Sequence, residues 1–170
     1  MALTVQDPQN PVDNANSYLS LVDARALADQ YYYDLPTDDT EAERALVKSF
    51  RSIELKEPQM CGVRTTEIQN TSYPRTGVYI RCQPLPSDAF PDELLLAQVI
   101  GASYSGSGTD LSGGTDDGRV ITKEKVDVIE VNYADNGKTG NSVYIAEFEN
   151  TLNPLLCSNT SAANFTTVRV

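Results

Sequence analysis

Residues 40–55 read TEAERALVKSFRSIEL, and this stretch decides the fold. Ala42, Ala45, Leu46, Ser49, Phe50 and Ile53 recur at intervals of three and four, while the charged residues fall between them. Such a period is that of an amphipathic helix, which needs a partner to cover its apolar stripe. Thr40 stands three residues before Glu43, the spacing of a capping box, so the helix is expected to run from there to about Leu55.

Working outward, candidates for that partner lie on both sides. Ser20 can cap a helix in which Leu21, Ala24, Leu27 and Ala28 recur up to about Gln30, before Pro36 breaks the pattern. Downstream, Phe90-Pro91-Asp92-Glu93 is a start signal, with proline suited to a first turn and two acids suited to the positive end of the helix dipole. Leu94, Leu95, Ala97, Gln98 and Ile100 continue that helix to about Ala102. A last helix is expected from about Ser142 to Leu152 through Ile145, Phe148 and Leu152, ended by Pro154.

The remainder has weaker periods. Lys56 to Ala89 is a long irregular, proline-containing loop with at most a short extended piece at Val78 to Arg81. Residues 101–119 are rich in glycine and serine and read as a flexible linker. Val126, Val128, Val131 and Tyr133 alternate as in a strand, with a bulge expected at Ile129 and a hairpin turn at Asn136-Gly137. Residues 1–15 read as an extended arm, 16–152 as one domain, and 153–170 as a C-terminal tail able to lie against a partner. The expected class is mainly α (α+β): a small helical bundle with a long irregular loop, a β-strand or hairpin after the linker, and extended arms at both ends.

The chain has 170 residues, 24 acidic against 13 basic side chains and a formal net charge of -11. That balance opposes phosphate binding. Arg119, Lys123 and Lys125 cluster, but Asp116, Asp117, Glu124 and Asp127 interleave with them. No window approaches the length of a membrane-spanning helix, and MALTVQDPQNP lacks the basic and apolar parts of a leader, so no membrane role and an intracellular origin are expected. Asn70, Asn159 and Asn164 fit the glycosylation pattern, which matters only in a secreted chain. Cys61, Cys82 and Cys157 are an odd, sparse set without zinc-site spacing and are expected to be free thiols.

Chemistry finds little footing. The chain has no histidine, which removes the commonest general base and metal ligand. Gly137-Lys138-Thr139 matches only the end of a phosphate-binding loop, since Asn132 stands where that loop needs glycine. Asp110, Asp116, Asp117 and Gly118 lack the alternating acids of a calcium loop. The acidic pairs Asp38-Asp39 and Asp92-Glu93 are explained by helix starts, and Tyr31, Tyr32 and Tyr33 by packing or an interface. No catalytic residue, metal or cofactor is expected. Arg75, beside a tight Pro-Gly turn, could tie two segments of its own chain or two subunits together.

Asn16-Ser17-Tyr18, the helix ERALVKSF, Tyr73-Pro74-Arg75-Thr76-Gly77-Val78 and Phe90-Pro91-Asp92-Glu93 occur in an order and spacing that resemble a tailed-phage family. Its members are head-tail connector, or adaptor, proteins often labelled DnaT-like single-stranded-DNA-binding proteins. Family members commonly carry tryptophan before the Pro-Arg-Thr-Gly turn, where this chain has Tyr73 and no tryptophan anywhere. The resemblance implies a structural virion protein at the head-tail junction, made in the host cytoplasm. It implies a ring of identical subunits, expected to number about twelve, bound to the portal protein and to tail or neck proteins.

On that reading Tyr73, Pro74, Arg75, Thr76 and Gly77 are subunit-interface candidates, and Leu155, Leu156, Phe165, Val168 and Val170 form a portal-docking tail. Residues 58–89 would be a belt whose backbone is satisfied by neighbouring subunits. Genomic DNA would pass through the channel without sequence-specific binding, and an acidic wall would ease its passage. Single-stranded-DNA binding is the alternative function.

Overall fold

The computed structural model describes residues 3–66, 69–109, 111, 123–126, 129–132 and 145–157. It shows a mainly helical α+β fold, as expected. Helix α1 (Leu21–Tyr31) starts at Ser20, whose hydroxyl accepts from the Asp23 amide, and ends where Tyr32 turns left-handed with φ of 60°. Helix α2 (Asp39–Glu54) buries the whole stripe read from its sequence. Its cap is Asp38 and not Thr40, because the Asp38 carboxylate takes the Glu41 amide at 2.9 Å.

Helix α3 (Asp92–Gly106) is the centre of the molecule, with α1, α2 and α4 (Ala146–Leu152) packed around it. Leu94, Ala97, Val99, Ile100 and Ala102 are all buried, as befits a helix covered on most sides. It runs four residues beyond the expected end at Ala102, into the supposed linker. The small residues there are what close packing requires: a Cβ on Gly101 would lie 2.3 Å from the Ser49 hydroxyl of α2, and one on Gly106 would lie 2.7 Å from the Pro36 ring. Helix α4 is described only from Ala146, and Ser142 to Tyr144 lie outside the described residues.

Among the described residues, three two-stranded antiparallel ribbons accompany the helices: β1 (Val63–Arg64) with β2 (Arg75–Thr76), β3 (Tyr79–Ile80) with β4 (Gln83–Pro84), and β5 (Lys123–Val126) with β6 (Ile129–Asn132). The last is a hairpin in which Val126 faces Ile129, so Ile129 opens a second strand where a bulge was expected. The turn expected at Asn136-Gly137 lies outside the described residues.

Both ends of the described chain are folded in. Val5 bridges Ser17, and the Gln6 side-chain amide donates to the Thr71 hydroxyl at 2.6 Å, so the N-terminal arm lies on its own subunit. After α4 a 3-10 turn (Asn153–Leu155) buries Leu155 completely, and Met60 bridges Leu156. A disulfide joins Cys61 to Cys157, leaving Cys82 free and exposed, which corrects the expectation of three free thiols. Spacing could not reveal it: the two cysteines are 96 residues apart and meet only because Cys61 and Cys157 exchange backbone bonds with Leu155 and Gln59.

Candidate interaction surface

The long irregular stretch after α2 has few backbone ladders, yet side chains satisfy many of the buried polar groups among its described residues. Glu54, at the last turn of α2, accepts from the Ser72 amide at 2.8 Å, from the Ser72 hydroxyl at 2.6 Å and from the Tyr18 hydroxyl. Burial pushes this carboxyl above its usual range, with the hydrogen bonds from Ser72 and Tyr18 opposing the rise. The buried Gln69 side chain donates to the carbonyls of Thr71 and Pro74 at 2.8 and 2.9 Å. Arg64 forks onto Glu57 at 2.5 Å and reaches the Gln69 carbonyl at 3.0 Å; its hydrogen bonds hold the Glu57 carboxyl below the usual range.

Arg75 completes the lock. It is buried, and its guanidinium donates to the carbonyls of Cys61 at 2.7 Å, Gly62 at 2.8 Å, Ser72 at 3.2 Å and Met60 at 3.4 Å, with Glu57 3.7 Å away. A rigid fork of donors suits this task, since one side chain satisfies the backbone on both sides of the loop. Of the two ties open to Arg75, the structure shows the one within its own chain. The first half of the belt expected to be satisfied by neighbours is therefore tied from inside at Met60 to Gly62 and Gln69 to Pro74, by side chains whose irregular spacing carries no periodic signal.

The Tyr73-Pro74 peptide is cis. Tyr73 and Pro74 are buried with Arg75, so among the five interface candidates only Thr76 and Gly77 lie on the surface. Gly77 faces Gly62, where a Cβ would come within 2.3 Å of the Thr76 carbonyl. The Tyr73 hydroxyl has no hydrogen-bond partner among the described residues, and burial raises its pKa to about 12. Of the tail candidates, Leu155 is in the core and Leu156 packs partly against it, while Phe165, Val168 and Val170 lie outside the described residues. Leu155 thus cannot serve as a docking residue without unpacking the core.

Among polar residues such as Thr65, Asn70 and Thr76, the segment displays three large apolar side chains: Leu55, Val63 and Tyr79 are each more than half exposed. On α1 and its end, Val22 and Tyr32 are exposed as well, Tyr32 at 94%. Along α2, Arg44, Lys48 and Arg51 are exposed on one face at intervals of four and three, a pattern present in the sequence but not recognised there. The cluster expected around Arg119 cannot be compared with it, because Arg119 and the side chains of Lys123 and Lys125 lie outside the described residues.

Among the described residues no group of three or more histidine, cysteine or acidic side chains is placed to hold a metal, and no helix is long and apolar enough to cross a membrane. The arrangement is that of a helical scaffold displaying a locked irregular loop. The chain belongs to the family described as "Putative DnaT-like ssDNA binding protein", which it matches over residues 1–170. No curated protein and no solved structure matches it.

Proposed function

We propose that this protein is a structural subunit, a head-tail connector that assembles as a ring on a phage portal and links the head to the tail. One observation carries the reading: a long segment fixed internally by Arg75, Glu54 and Gln69 displays Val63, Thr76 and Tyr79 to solvent. Rigid display of apolar groups lowers the ordering cost of docking. The exposed residues of α1 supply a second surface, and a ring subunit needs two different flanks. No catalytic role enters this reading.

The test is native mass spectrometry of the purified protein mixed with the portal ring from the same genome. A discrete complex with many copies per portal is the expected result, weakened by Val63→Glu or Tyr79→Glu at unchanged unfolding midpoint. No association at any salt concentration would sink the connector reading.

Single-stranded-DNA binding is the second reading. It is favoured by the family description and by the exposed cations of α2.

A further inference from the structure

We propose that the exposed face of α2, with the end of α3 opposite it, is a phosphate-binding groove for single-stranded nucleic acid. This rests on the second functional reading and assigns it a place. Arg25, Lys56, Arg64, Arg75 and Arg81 each pair with a carboxylate. Arg44, Lys48 and Arg51 pair with none among the described residues, and all three are exposed. In a chain of net charge -11, the unpaired cations among the described side chains lie on one helix face.

That face borders two hollows that share Lys48. One, of about 200 Å³, lies between Arg44 and Lys48 on α2 and Ser105 and Gly106 on α3. The other, of about 620 Å³, lies between Lys48, Arg51, Glu54 and Leu55 and the turn at Gly108 and Thr109; the Glu54 carboxylate oxygens there are taken up by Ser72 and Tyr18. Small residues form the far wall, so a chain can lie along the cations. Seven helical steps from Arg44 to Arg51 carry the three charges across about 10 Å, which lets neighbouring phosphates of one strand be met together. Glu41 lines the first hollow and closes the positive stretch at the Arg44 end. Past Gly106, Tyr104 borders the next hollow and offers a ring to a base, although Asp34 and Glu41 line that hollow too and keep phosphates on the side of the α2 cations; Leu55 offers an apolar contact at the other end. An acidic protein segment would be attracted by the same charges but would have no use for the ring.

Counterion release makes the idea measurable. Three phosphates on a single strand give a slope of about -2 in a plot of log affinity against log salt. The experiment is fluorescence anisotropy of a labelled oligothymidylate with the full chain over a salt series, repeated with Arg44→Gln/Lys48→Gln/Arg51→Gln and with Arg25→Gln/Arg81→Gln as a control. Circular dichroism checks that both variants fold.

The expected result is binding with that slope, weakened at least about tenfold and flattened in the triple variant, and nearly unchanged in the control. Equal binding by wild type and triple variant would overturn the groove while leaving DNA binding intact. No binding by wild type even at the lowest salt would overturn both. Binding of labelled polyglutamate at least as tight as the oligothymidylate, and lost in the triple variant, would overturn the nucleic-acid assignment in favour of an acidic protein segment.

Discussion

Arg75 and Tyr73 sit two residues apart in one buried turn and have opposite effects. Arg75→Ala strips four carbonyls of their donor and leaves the turn's polar groups buried and unpaired, so it should cost about 3 kcal/mol or more. Arg75→Lys should recover only part of this, because an ammonium cannot fork. Tyr73→Phe deletes a hydroxyl that bonds to nothing and should be neutral or stabilising by about 1 kcal/mol. Urea unfolding of the three variants decides the matter; a stable Arg75→Ala would show that the lock is not where the segment's stability lies. Two carboxyls of this network also predict opposite pH responses. The Glu54 carboxyl is raised from 4.5, so the folded state binds its proton more tightly, and its contribution is greatest below 4.5 and falls as pH rises through the higher folded value. Glu57 is lowered from 4.5, so its contribution is complete above 4.5 and is lost as pH falls through the lower folded value. Glu54→Gln should remove the fall in stability that begins as pH rises above 4.5, and Glu57→Gln the loss that begins as pH falls below 4.5. Unaltered profiles in both variants would contradict this assignment.

At the level of elements, the buried stripe of α2 was legible because its core partners repeat with the helical period, though its cap was placed two residues late, and α1 was legible because Ser20 is a good cap in the right place. The end of α3 was not, because glycine and serine signal flexibility in isolation but close approach in contact. Gly101→Ala should improve intrinsic helix propensity and yet destabilise the fold by about 1 to 3 kcal/mol, through collision with Ser49 and Phe148. Ser49→Ala removes the nearest atom, itself unpaired, and should relieve part of that loss in the double variant. Additive effects in the double-mutant cycle would mean that the two helices do not meet there. The irregular stretch was illegible for a different reason. Glu54, Gln69, Thr71 and Arg75 are placed by tertiary contacts, and nothing in their spacing distinguishes a buried polar side chain from a solvated one. The α2 cations were the reverse case, with a spacing readable all along.

For the whole molecule, the Cys61–Cys157 bond closes a loop of 96 residues in sequence separation. Constraining the unfolded chain over that length predicts that Cys61→Ser/Cys157→Ser lowers stability by about 2 to 5 kcal/mol. Alkylation of the unreduced protein should label Cys82 alone; labelling of all three cysteines would show that the bond does not form in the protein as made. The same bond has a mechanical consequence. A pull between the two ends of the chain would run from the N-terminus through α1 and α2 to Cys61, cross the bond to Cys157, and leave by the C-terminal residues. Residues 62–156, with α3, α4 and the Arg75 turn, would stay slack under tension that unravels the first two helices.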